Sequence, residues 1–224
     1  MEVDGILVAA HELKEPLATL RQLAFAFDGM SESNEIIRDK MVSVSDRAIR
    51  QVNDLLRLRR LECEMPEMEP MAVRPVCDAV MRELEYLFQY NKRELFIKYI
   101  GKEQLAYANR DLLFSVVYNF LLNAMHYTGD ETRAELMVRP VKDKVRIAIR
   151  DFGPALPMDV WKEMRRGWVE KPTSIAMRPG SSGLGLFIAS KFSKYMNAEV
   201  GAVRHRDGTS FYVDLMKSQQ MRLL

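Results

Sequence analysis

A chain of 224 residues, 48% hydrophobic and 29% charged, is long enough for one or two domains with a sizeable core. Its 33 Lys and Arg against 31 Asp and Glu leave a formal charge of +2, which excludes the one-sided field of a general nucleic-acid binder. Only 9 Pro and 11 Gly exclude a disordered or fibrous chain, and two cysteines, Cys63 and Cys77, make neither a disulfide framework nor a four-ligand zinc site, so a reducing cytoplasmic setting is expected. The apolar stretch Leu112–Met125 is broken by Ser115 and Asn119 and falls short of the ~20 residues that a membrane-crossing helix needs. Residues 1–10 are too short and too acidic for a signal peptide, and the abrupt start suits either the catalytic end of something longer or a genuinely short protein.

From Ile6 the apolar positions Ile6, Leu13, Leu20 and Phe27 recur every seven residues, with Ala10, Leu17 and Ala24 in step beside them, the spacing of a helix that packs along one seam. Asp28-Gly29 stops it. Ser31 or Ser33 with Glu35 starts a second helix, whose Val42, Ile49, Leu56 and Cys63 again repeat every seven, beside Ala48, Val52 and Leu55. A lone hairpin buries one stripe of each helix, so residues 1–64 predict a homodimer built as a four-helix bundle. The stretch 62–75, with Pro66, Pro70 and Pro75, reads as a linker, because Pro breaks helices and biases its predecessor toward extended backbone. Beyond it the period changes. Helices are predicted over Val76–Tyr90, Asp111–Tyr127 and Leu184–Met196. Strands are predicted over Leu95–Ile100, Leu105–Ala108, Ala134–Val138, Val145–Arg150, Glu199–Arg204 and Ser210–Leu215, the last two joined around Arg206-Asp207-Gly208. The second domain, 65–224, is therefore α+β.

In a heptad opening at Ile6, His11 lies opposite the seam and its imidazole should face water, beside Glu12 and ahead of Pro16 in the run HELKEPL. Pro16 removes a backbone hydrogen bond and predicts a bend. Taken alone, His11 and Glu12 suit an ordinary solvated helix face. Asn119 and Asn123 share a face of an apolar helix. They are either amides satisfied within the core or oxygen ligands of the kind that suits Mg²⁺. A turn further on, His126 and Tyr127 suit phosphate and the face of a base. Asp151 and Gly153 open the loop DFGPALP, where the acid either closes an Asx turn or accepts a hydrogen bond from the exocyclic amine of adenine. The run GSSGLGL at 180–186 enters a helix, a placement that leaves free amides for phosphate, yet it lacks the Gly-Lys-Ser/Thr of a P-loop.

In this order HELKEPL, NFLLNAMHYT, DFGPALP, GSSGLGL and Gly208-Thr209 closely resemble the H, N, G1, G2 and G3 boxes of the sensor histidine kinase transmitter core, over residues 2–216. The resemblance implies a dimeric helical-hairpin domain over 1–64, followed by a two-layer α/β sandwich of the Bergerat ATPase type over 65–224, with ATP and Mg²⁺ as cofactors. It implies His11 as phosphoacceptor, Glu12 as the adjacent general base, Asn119 and Asn123 as the N-box amides with Asn123 the Mg²⁺ ligand, Tyr127 as the ring that stacks on adenine, and Asp151 as the acid that reads it. His126, Gly153, Ser182, Gly183, Leu184, Gly185 and Thr209 complete the nucleotide site. A lid is expected over 168–182, where Arg178 supplies a cation. The implied partners are a second copy and a response-regulator receiver domain; no nucleic acid is expected, and any membrane attachment would come through a sensor region outside this chain. The implied reaction is autophosphorylation at His11 and transfer to the regulator's aspartate.

Several positions depart from the family's pattern. His126 stands where Lys or Arg is usual, Ala155 replaces the second G1 glycine, Ser181 takes a common glycine position, and Trp161, Met164 and Trp168 stand loosely for the Phe-rich box. Glu15 replaces a Thr or Asn, which predicts weak phosphatase activity, since a carboxylate donates no hydrogen bond and repels a phosphoryl group. These departures keep open an alternative, a signalling scaffold that retains the fold without efficient catalysis.

Overall fold

The computed structural model describes residues 3–27, 34–128, 132–158, 161–162, 164 and 184–218, apart from the side chains of 3–13, 15 and 35. The chain divides into two compact units, 1–63 and 64–224. No helix among the described residues is long and apolar enough to cross a membrane.

In the first unit α1 (Val3–Ala26) and α2 (Asn34–Leu61) lie against one another as a hairpin. Pro16 falls inside α1. Along α2, Ala48, Val52 and Leu55 are half-buried, whereas Val42, Ile49 and Leu56 are 54%, 57% and 56% exposed. The seven-residue stripe is therefore not the face that closes the hairpin.

The second unit runs β1 (Glu69–Ala72), α3 (Arg74–Tyr90), β2 (Glu94–Tyr99), β3 (Leu105–Ala108), α4 (Arg110–Tyr127), β4 (Arg133–Val141), β5 (Lys144–Asp151), α5 (Leu184–Tyr195), β6 (Glu199–His205) and β7 (Gly208–Met216). Five strands form one mixed sheet in the order β2-β4-β5-β7-β6, with β2 and β4 parallel and the other neighbours antiparallel. The fold is α+β, as read. One part of that reading needs correction: segment 62–75 is not all linker. Residues 69–72 pair antiparallel with β3 as a separate two-stranded sheet, and α3 has already begun at Arg74 with Pro75 in its first turn. The prolines misled because Pro is tolerated both in edge strands and at the start of a helix.

The second unit's core follows from two periodicities. On β5, Val145, Ile147 and Ile149 are buried while Lys144, Arg146, Ala148 and Arg150 take the other face, and on β7 Phe211, Val213 and Leu215 are buried. These side chains meet α4, which lies between α3 and α5 and is apolar nearly all round, as a central helix must be. Phe120 of α4 and Phe211 of β7 are both almost fully buried, with ring centres 5.9 Å apart; such side chains contribute about 1.5–3 kcal/mol each. Asn109 caps α4, its side chain accepting from the N–H groups of Asp111 and Leu112 at 3.2 and 3.1 Å. On the face of the sheet away from the helices, Arg146 clamps the buried Asp214 through two bonds of 2.7 Å.

Candidate functional site

Helix α4 carries Asn119, Asn123, His126 and Tyr127 along just over two turns. Asn119 is 8% exposed and donates from Nδ2 to the Ser115 carbonyl at 2.9 Å and to its hydroxyl at 3.3 Å. Half of the plain reading, an amide satisfied within the core, thus applies to Asn119. Asn123 differs. It is half-buried, and its Nδ2 is shut from solvent with no hydrogen-bond partner among the described residues. An orphaned amide of this kind costs about 1–3 kcal/mol unless a ligand or water satisfies it. Thr128 at the end of α4 is 2% exposed and its hydroxyl is orphaned in the same way; it was not among the residues singled out from sequence. His126 is exposed and Tyr127 half-buried.

Asp151 is the last residue of β5, not the first of a loop, and is 2% exposed. Its Oδ1 accepts from the Gly153 N–H at 3.2 Å and from the Thr209 N–H at 3.1 Å. The first bond is the local Asx-type contact that the plain reading anticipated; the second comes from another strand and holds the same carboxylate oxygen. Thr209 itself is 2% exposed.

Three glycines show why these motifs come together. A Cβ on Gly153 would stand 1.7 Å from the Tyr127 carbonyl oxygen, one on Gly185 would stand 2.8 Å from Asn119 Oδ1, and one on Gly208 would stand 2.1 Å from the Asp151 carbonyl oxygen. Each glycine therefore admits the backbone of one motif to another: the turn after β5 to the end of α4, the start of α5 to the middle of α4, and the β6–β7 turn to the end of β5. Gly208 also holds φ at +131°, which a side chain would strain. The sequence reading valued Gly153 and Gly185 for the ligand and omitted Gly208 as a site residue; its place in the Asp-Gly of a hairpin turn was the available signal.

Leu184, the first residue of α5, is buried. Arg178, Ser182 and Gly183 lie outside the described residues, as do Ser181, Trp168 and the whole of the expected lid. His11 and Glu12 fall within α1 in the other unit, and their side chains are likewise outside the description. Trp161 is half-buried and Met164 buried. Among the described residues no three His, Cys, Asp or Glu side chains converge as a metal site. The Asn123 side chain also carries an amide oxygen, a hard donor that, with phosphate and water completing the shell, would fit Mg²⁺.

The profile of the histidine kinase-, DNA gyrase B- and HSP90-like ATPases matches residues 108–219, from the end of β3 past the end of β7. Over 216 residues the chain is 28% identical to the probable sensor histidine kinase TcrY of Mycobacterium tuberculosis (strain ATCC 25618 / H37Rv), covering 92% of this chain and 44% of that protein. It spans about half the length of the curated relatives it matches. The Acinetobacter baumannii histidine kinase AdeS shares the fold at TM-score 0.64 and 16% identity, over 93% of this chain and 98% of that one. So does the histidine kinase ThkA, solved in complex with the response regulator protein TrrA, at TM-score 0.64 and 15% identity over 93% of this chain and 60% of that one. The chain belongs to the histidine kinase-, DNA gyrase B- and HSP90-like ATPase family, with the architecture of a sensor histidine kinase transmitter core. Use of ATP comes with that family.

Proposed function

We propose that this chain phosphorylates itself on His11 at the expense of ATP and passes the phosphoryl group to an aspartate of a response-regulator receiver domain. The observation that carries this reading is the meeting of four motifs through glycines 153, 185 and 208, around the orphaned amide of Asn123 and the clamped carboxylate of Asp151. In this reading Asp151 accepts a hydrogen bond from the adenine amine, Tyr127 lies on the base, and Asn119, Asn123 and His126 face the phosphates. Gly153, Ser182, Gly183, Leu184, Gly185 and Thr209 shape the walls, and Arg178 adds a cation from the lid. Mg²⁺, when bound, would neutralise phosphate charge from Asn123.

The chemistry asked of His11 is an in-line displacement. One imidazole nitrogen forms the N–P bond to the γ-phosphorus as the bond to the β–γ bridging oxygen breaks, ADP leaves, and Glu12 takes the proton from the other nitrogen. That the ThkA neighbour was solved with a response regulator supports a receiver domain as the next acceptor. The exposed stripe of Val42, Ile49 and Leu56 supports a homodimer through the first unit. His126 in place of a Lys still donates one hydrogen bond, with less charge behind it, so modest nucleotide affinity is expected.

The test is incubation of the purified chain with Mg²⁺ and γ-labelled ATP. An acid-labile, base-stable label that disappears in His11→Gln and in Asn123→Asp is expected. Nucleotide binding without label would favour the scaffold reading, and label on another residue would remove His11 from the mechanism.

A further inference from the structure

We infer that Arg150 is a positioning residue of the nucleotide site: through Phe152 and Asp207 it ties together the two turns whose backbone donors hold the Asp151 carboxylate. The inference rests on the reading of Asp151 as the acid that meets adenine, and it identifies what keeps that acid oriented. One donor, the Gly153 N–H, belongs to the turn after β5; the other, the Thr209 N–H, follows the β6–β7 turn. The β5–β7 ladder ends at the Arg150–Ser210 pair, so past that point its backbone bonds no longer hold the two turns together.

The Arg150 side chain spans the gap on the sheet face away from the helices. Its Nη2 donates to Asp207 Oδ1 at 2.7 Å, and its guanidinium carbon lies 4.6 Å from the centre of the Phe152 ring. Asp207 directly precedes Gly208, and Phe152 directly follows Asp151, so each anchor is within two residues of a donor or next to the acid itself. A second guanidinium, that of Arg133, lies 5.0 Å from the same ring and is held by Glu135 at 2.9 Å. A planar guanidinium can stack on a ring and donate in its own plane at once, which an ammonium cannot do. The Arg150 side chain is only 22% exposed, against 67% for Asp207, so the ring contact is the better shielded anchor and the ion pair the more sensitive to salt.

The experiment compares the full chain with Arg150→Met, Arg150→Lys and Phe152→Leu. Without nucleotide, amide hydrogen exchange at Gly153 and Thr209 is read against Ile147 and Val213 within the same ladder. Arg150→Met and Phe152→Leu should speed exchange at the first two about 5–10-fold and leave the second two unchanged, with Arg150→Lys in between. With nucleotide, the preference for ATP over GTP, read as the ratio of dissociation constants, should fall about 3–10-fold in Arg150→Met. Unchanged exchange at Gly153 and Thr209 overturns the inference. So does exchange that speeds across the whole sheet, or a loss of affinity that leaves the ATP-to-GTP ratio as it was, since each marks a general structural role. A wild-type chain indifferent to the base would instead sink the adenine reading of Asp151, while the exchange arm still decides whether Arg150 holds the two turns.

Discussion

At the residue scale the site is built on missing side chains as much as on present ones. A methyl on Gly153 meets a backbone oxygen of α4, which has no room to move, whereas a methyl on Gly185 meets the end of the Asn119 side chain, which can rotate at the loss of its bond to Ser115. Gly153→Ala should therefore destabilise the chain by about 3 kcal/mol and Gly185→Ala by about 1 kcal/mol, as read from urea unfolding midpoints. Equal effects would contradict the geometry. His205, bonded to Ser210 at 2.9 Å, supplies a pH-dependent counterpart. Burial, and then the Arg150 charge, lower its pKa below the ordinary 6.5, a shift that Asp207 only partly opposes. The unfolded chain then binds the proton more readily than the folded one, so stability should fall as pH drops below about 6.5. His205→Gln should flatten that slope, which unfolding curves at successive pH values would reveal.

Among the elements, α2 and the β5–β7 pair make separate predictions. The stripe of Val42, Ile49 and Leu56 stays more than half exposed although it keeps a seven-residue period, the pattern of a seam awaiting another helix. Light scattering of the chain should return about twice its 25.9 kDa, and Ile49→Glu should return it to a single chain mass, because the carboxylate would be buried without a partner. A wild-type monomer would remove the bundle. Between β5 and β7, Arg146 holds Asp214, whose side chain is 5% exposed, while its own is 21% exposed. The Asp214 hydrogen bond raises the already high pKa of Arg146. Arg146→Met should cost about 1–3 kcal/mol in unfolding free energy, below the figure for a fully buried pair because solvent still reaches the guanidinium.

For the whole molecule the division at residues 63 and 64 implies two foldable parts with different tasks. The fragment 64–224 contains the five-stranded mixed sheet with α3, α4 and α5 packed on it, so it should unfold cooperatively by itself, remain monomeric and bind ATP with the affinity of the full chain. It should not become labelled, since His11 lies in the other part. Calorimetric titration with nucleotide, followed by the labelling assay on the same sample, checks both statements.

Local order was legible in the sequence wherever one period dominated. The alternation Val145, Ile147, Ile149 identified β5, the long apolar run identified α4, and Leu105–Ala108 appeared with its observed bounds, because a strand or helix half-buried on one face writes that face directly into its residues. The ordered motifs likewise carried the family. What sequence could not express was which distant segments would meet: that residues 69–72, within an apparent linker, pair with a strand more than thirty residues away, that β2 joins β4 in parallel, and that Gly208 must be bare because the Asp151 carbonyl occupies its Cβ position. The tie from Arg150 to Phe152 and Asp207 is of the same kind. Periodicity is a property of one segment and its environment, whereas register, chain direction and close backbone approach depend on pairs of segments. Only the folded chain, with its core closed around α4, decides which pairs those are.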